Sequence, residues 1–196
     1  MKNRSCKPFV LFVAVWIAVT LTTFGFSLAA EFSADFSVKT TGEDEVKGKI
    51  FVKGNKIRQE VTEEGDTQIL IIRPDKNVTW MITPDEKMYM EIPYESDSQS
   101  VEPWSAEKEK SAKYVGEETI NGHPAKKYEA MEEGEKVTYW ISKKLNFPVK
   151  IEDSESVMEY RNIKEGSVAD AQFDVPSGYE KMTMPVMPGA KGSSNQ

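Results

Sequence analysis

From Phe32 onward the chain alternates apolar and polar residues with a period of two. Phe32, Ala34, Phe36 and Val38 fall on one side, with polar residues between them. This spacing puts successive side chains on opposite faces of a strand and does not fit the 3.6-residue repeat of a helix. Val46, Gly48, Ile50 and Val52 continue it, Gly54-Asn55 signals a tight turn, and Ile57, Gln59 and Val61 follow. Further turn signals at 64–66, 74–77 and 84–86 lead into apolar runs at 68–72, 78–82 and 88–92. Strands at this spacing, roughly every 8–12 residues, are those of an all-β sheet or barrel. The second half repeats the rhythm over 112–120, 125–131, 137–141, 147–151 and 157–163, with Asn121-Gly122 and Glu133-Gly134 as turns. Such short connections imply an antiparallel meander.

Residues 93–110 break the rhythm. Ser105 is placed to cap a short helix, and Trp104 is the large apolar residue of the segment. A connection of this length tends to be a lid, a binding loop or a disordered connector. Residues 69–72 and 80–82 are apolar on both faces, and Met88, Tyr89, Met90 and Ile92 nearly so. A strand apolar on both faces must be covered on both. A helix, the 93–110 segment, a second sheet or a bound apolar ligand would serve. A partly open sheet with an apolar concavity and ordinary sandwich or barrel packing both satisfy the pattern.

The first thirty residues read as an address. Lys2, Arg4 and Lys7 precede the apolar run 9–28, and small residues follow up to Ala30. This is the layout of a secretory signal peptide, cleaved after Ala29 or Ala30. The alternative is an uncleaved anchor through residues 9–28, a run near the roughly 20 residues that a span needs. Cys6 precedes the run, so it is not the lipidated cysteine of a bacterial lipoprotein. The expected organisation is a signal peptide at 1–30, one sheet domain at 31–187 and a disordered tail at 188–196. Removing the signal peptide takes the net charge from −7 to −10 and leaves no cysteine. That acidity argues against nucleic acid as a partner and against adsorption to anionic lipid surfaces.

Catalytic chemistry has little to work with. The single histidine, His123, lies beside Pro124 in a turn signal, and the paired acids at 43–45, 63–64 and 132–133 flank turns. No cofactor signature is present, no metal site is assigned, and the expectation is a protein that is not an enzyme. Asn77-Val78-Thr79 matches a glycosylation sequon, which would be incidental if the protein is a bacterial envelope protein. Met182, Met184 and Met187 lie close together. Thioethers so grouped either bind Cu(I) or pack onto the sheet.

Several segments together resemble a known family. FSADFSVKT (32–40), GKIFVKG (48–54) and KIRQEV (56–61) are similar to the opening of LolA-like proteins. Ile120-Asn121-Gly122 with Tyr128, Trp140-Ile141 before Leu145-Asn146-Phe147-Pro148-Val149-Lys150, and Phe173-Asp174-Val175-Pro176-Ser177-Gly178-Tyr179 resemble later motifs of the same superfamily, in order. It includes periplasmic lipoprotein carriers, their outer-membrane receptors and envelope-stress sensors, and the nearest resemblance is to its exported domains of unassigned function. The resemblance implies a mainly β fold with little helix: a single antiparallel sheet curved into an incomplete half β-barrel with an apolar concave face. It further implies a periplasmic protein holding a lipid or a lipidated protein chain, or alternatively a sensor or interaction module that meets an envelope protein. The carriers have an amphipathic helix before the first strand, which this chain lacks. Ile71, Trp80, Ile82, Met88, Met90 and Trp140 are the candidates to line such a groove.

Overall fold

The computed structural model describes residues 30–94 and 104–182. The expected signal peptide and its cleavage site, Cys6, Met184, Met187 and the 188–196 tail lie outside them.

The alternating segments form twelve strands in one sheet. The first six are β1 (Glu31–Thr40), β2 (Val46–Lys53), β3 (Lys56–Glu63), β4 (Asp66–Arg73), β5 (Val78–Thr83) and β6 (Met88–Pro93). After helix α1 (Ala106–Ser111) come β7 (Lys113–Ile120), β8 (His123–Glu132), β9 (Glu135–Ser142), β10 (Pro148–Glu152), β11 (Ser156–Glu165) and β12 (Glu180–Lys181). Their spatial order is β12-β6-β5-β4-β3-β2-β1-β11-β10-β9-β8-β7. Two antiparallel meanders are thus joined where β1 pairs with β11. The chain leaves the first meander at β6 and starts the second at the far edge, on β7. The mainly β, little-helix fold expected from the sequence is the one observed: a curved open sheet, not closed into a barrel. The exception to the antiparallel rule is β12, which runs parallel to β6.

The turns follow from local chemistry. Glu64-Gly65, Asn121-Gly122 and Glu133-Gly134 all have positive φ at both residues, 52/101°, 49/87° and 52/93°. This is the type I′ geometry, whose twist matches that of the flanking strands.

Strand pairing sorts the side chains onto two faces. On the core face Phe32 pairs with Val52, Val52 with Ile57 and Ile57 with Ile72. Phe36 pairs with Gly48 on one side and with Tyr160 on the other. Leu145 and Phe147, from the β9–β10 connection, pack into the same cluster. The Phe147 ring stands edge-on to Phe32 and Tyr160, with centroids 5.1 and 5.8 Å away. Further along this face Trp104 is buried against Tyr128 and Tyr139, both 5.2 Å away. That contact seats α1, and the Ser105 hydroxyl accepts the Lys108 N–H at 3.1 Å as the expected cap.

The reverse face of the first meander is covered by chain that the alternation did not announce. Residues 166–182 return across β3–β6 and set Val168 and Phe173 onto Ile69, Ile71 and Ile82, with Val175 and Tyr179 beside Phe51, Trp80 and Tyr89. Phe173 is fully buried. The second cover demanded by two-sided apolar strands is therefore this irregular strap.

Candidate functional site

The strap is fixed by a row of cations. Lys53 donates to the Val168 carbonyl at 3.2 Å, and Lys53 and Lys56 pair with Asp170 at 3.2 and 3.3 Å. Arg58 donates to the Gln172 carbonyl at 3.2 Å. Arg73, buried, donates to the Phe173 carbonyl at 2.7 Å and pairs with both Asp75 and Asp174 at 2.8 Å. The hydrogen bond from Arg73 holds the Asp75 carboxyl down at about 2, and those from Lys76 and Lys53 depress Asp174 and Asp170. A carboxylate with a depressed folded-state pKa stabilises the fold above its unfolded value, about 3.9, and loses that contribution as pH falls through the folded value. Thermal stability should therefore drop as pH falls from about 4 to 2, with a shallower drop in Asp75→Asn. Differential scanning calorimetry across that range checks it; an unchanged slope in the variant would rule Asp75 out as a source of the drop.

The opposite, core face is itself buried through Ile57, Ile72 and Thr79 and becomes partly solvated only toward its outer end, at Leu70, Met81, Met90 and Ile92. Two cross-strand rows run along the core face toward the β6 edge. One is Val52, Ile57, Ile72, Thr79 and Ile92; the other is Ile50, Gln59, Leu70, Met81 and Met90. Exposure grows outward along the first row, and in the second it peaks at Met81. Ile50 and Val52 are fully buried, Leu70, Met90 and Ile92 are half-buried, and Met81 is 44% exposed. Met88 and Val61 flank the second row, also half-buried. Among the described residues no helix or strand crosses this strip. An apolar, partly solvated strip beside a dry core offers dispersion contacts and water exclusion to an apolar ligand.

The six residues singled out in the sequence are not all brought together. Met88 and Met90 lie on the open strip. Ile71 and Ile82 are fully buried on the reverse face, against Phe173. Trp80 is beside them, its indole N–H donating to Glu91 at 3.0 Å and Lys76 5.2 Å over its ring. Trp140 lies in the other meander, packed with Ala125 and Val149. The Lys127 and Lys150 ammonium groups sit 4.7 and 4.4 Å over its ring, and its N–H donates to Glu118 at 2.8 Å. Met81 and Leu70 join the strip unannounced by the sequence; both sit in strands already read as two-sided. His123 opens β8, half-buried, opposite Ile120. Among the described residues no group of three or more His, Cys, Asp or Glu side chains is placed to hold a metal ion.

Residues 32–147, most of both meanders, match the family described as domain of unknown function DUF4412. The chain belongs to the DUF4412 family. Among curated proteins none matches the sequence. Of solved structures, the fold of this DUF4412 protein is similar to that of an uncharacterized conserved protein from Thermus thermophilus. The identity is 14% and the TM-score 0.53, over 78% of this chain and 90% of that one. It is also similar to part of PNGF-II, at 12% identity and TM-score 0.49, over 78% of this chain and 30% of that one. A LolA superfamily protein, NE2245 from Nitrosomonas europaea, matches at 14% identity and TM-score 0.39, over 76% of this chain and 91% of that one.

Proposed function

We propose that this DUF4412 protein is an exported, periplasmic, non-enzymatic binding protein. Its core face beyond β4 takes a lipid or the acyl chain of a lipidated protein. The observation that carries the reading is the partial exposure of Leu70, Met81, Met90 and Ile92 beside a buried core. A dry apolar core leads, past Gln59 in one row and Thr79 in the other, to partly solvated Leu70, Met81, Met90 and Ile92. Each methylene transferred from water to such a strip contributes about 0.8 kcal/mol, so an acyl chain needs no polar recognition to be held. Methionine suits the task, because its flexible thioether adapts to chains of differing shape. The order of LolA-like motifs along the sequence supports the same class of ligand. Residues 1–30, with their basic start and apolar run, supply the export signal, leaving a sheet domain at 31–187 and a short tail. Met88 and Met90 line the strip; Ile71, Ile82 and Trp80 support it from behind.

In protein purified from the periplasm of cells expressing the full-length gene, Met90→Asp or Met81→Asp should lose most of the co-purified lipid and keep the native circular dichroism. Trp140→Leu, on the other face and the other meander, should retain it. Equal lipid in all three variants would remove the strip as the site.

One observation favours a second reading. β7 is an edge strand whose Tyr114 and Val115 are 53% and 45% exposed, and an open edge can accept a strand from an envelope protein. Recovery of a stoichiometric protein partner with no lipid would select that reading over the first.

A further inference from the structure

The edge of the open strip gathers methionines from three adjacent strands. Met81 on β5 pairs directly with Met90 on β6. On the other side of β6, Glu180 and Lys181 of β12 pair with Met88 and Tyr89. The ladder runs on, since the Met182 N–H donates to the Tyr89 carbonyl at 2.7 Å. Met182 is therefore the neighbour of Met90. The Lys181 ammonium reaches Glu91 on the reverse face at 2.7 Å, so by alternation Met182 lies on the core face with Met90 and Met81.

Neighbouring strands lie about 4.8 Å apart, and directly paired side chains have Cβ atoms about 5 Å apart. A methionine side chain has three rotatable bonds, enough for three thioethers in one row to converge on a shared point. Met88 flanks the row, and Glu180, its partner on β12, sets a carboxylate on the same face. All four methionines are at least partly solvated.

Thioether sulfur is a soft, neutral donor. It discriminates against Mg²⁺, Ca²⁺ and Zn²⁺ and favours Cu(I) and its analogue Ag(I). We propose that Met81, Met90 and Met182 form a thioether site for a soft monovalent cation, Cu(I), at the β5–β6–β12 edge. Glu180 supplies negative charge nearby without acting as a ligand. The site goes beyond acyl binding and is separable from it, because Met182 contributes a sulfur to it and is no part of the acyl strip.

The test is silver(I) titration of the full protein carrying ¹³C-methyl methionine, followed by NMR; Ag(I) needs no reductant. One equivalent should shift the methyl carbons of Met81, Met90 and Met182, with Met131 and Met158 unmoved. Met182→Leu, outside the acyl strip, should weaken binding roughly tenfold or more while leaving co-purified lipid unchanged. Three results would each overturn the site: no methyl shift at stoichiometric Ag(I), shifts confined to Met184 and Met187, or affinity unchanged in Met182→Leu. Loss of lipid without loss of Ag(I) binding in Met81→Leu or Met90→Leu would overturn the site as well, since the sulfur would then serve the acyl chain and not the cation.

Discussion

Replacing Gly48 by alanine should lower the stability of the protein by about 3 kcal/mol, a large effect for the smallest of substitutions. Gly48 lies mid-strand in β2, where alanine would ordinarily be the better residue by about 0.5–1 kcal/mol. Space reverses the sign. A Cβ at this position would meet the Glu60 backbone carbonyl of β3 at less than any real contact distance, and two atoms of the Phe36 ring at 2.7 Å. The Phe36 ring fills the place a side chain would occupy, and it is buried against Tyr160, 6.3 Å away. A flexible side chain could move aside, but the β2–β3 ladder cannot without losing its hydrogen bonds. Adding Phe36→Leu to Gly48→Ala should therefore recover only part of the loss, because the Glu60 carbonyl remains. Gly134→Ala is the contrast: its φ of 93° costs strain, but nothing lies within 4 Å of its Cβ. It should lose about 1–2 kcal/mol. Urea unfolding of the variants gives the ranking, and a loss for Gly48→Ala no greater than that for Gly134→Ala would contradict it.

Phe173→Ala should cost about 3–5 kcal/mol and uncover the reverse face of β4 and β5. Phe173 is fully buried against Ile69, Ile71 and Ile82. The strap that carries it has no regular structure across most of its length, so this ring is its chief apolar anchor. The ion pairs contribute differently. Asp170 is 68% exposed, and pairs of that kind are typically worth under about 1 kcal/mol. Asp170→Ala should therefore leave the strap seated. Phe173→Ala should bind an apolar dye and speed amide exchange at Ile71 and Ile82. Slow exchange and no dye binding would mean that the cation row alone holds the strap.

These two positions also show where the sequence speaks and where it is silent. The strands and turns were legible, because period two and turn pairs such as Asn121-Gly122 are local signals. The strap was not. Phe173, Val175 and Tyr179 were visible as apolar residues in a motif, but an irregular segment has no period, and nothing local says which face it will cover. The demand for a second cover was readable from 69–72 and 80–82; its source was not. The strip residues failed to sort for a related reason. β5 meets β6 through pairs such as Met81 with Met90, and β4 meets β5 through Ile71 with Trp80. Even-numbered positions therefore change face at both of these hairpins, and the register of each turn must be known before Met90 and Trp80 can be told apart. Trp140 is a harder case. Its apolar surface is taken by the ammonium groups of Lys127 on β8 and Lys150 on β10, one on each neighbouring strand. Only the pairing of β9 with both neighbours brings them over the ring.

Whether the open half of the core face holds an acyl chain is tested most directly by native mass spectrometry followed by solvent extraction. The protein is purified from the periplasm of cells expressing the full-length gene. The expected result is a bound mass that extracts as phospholipid or fatty acyl chain and is lost in Met90→Asp. A clean unliganded mass from protein with native circular dichroism would contradict the acyl-binding role.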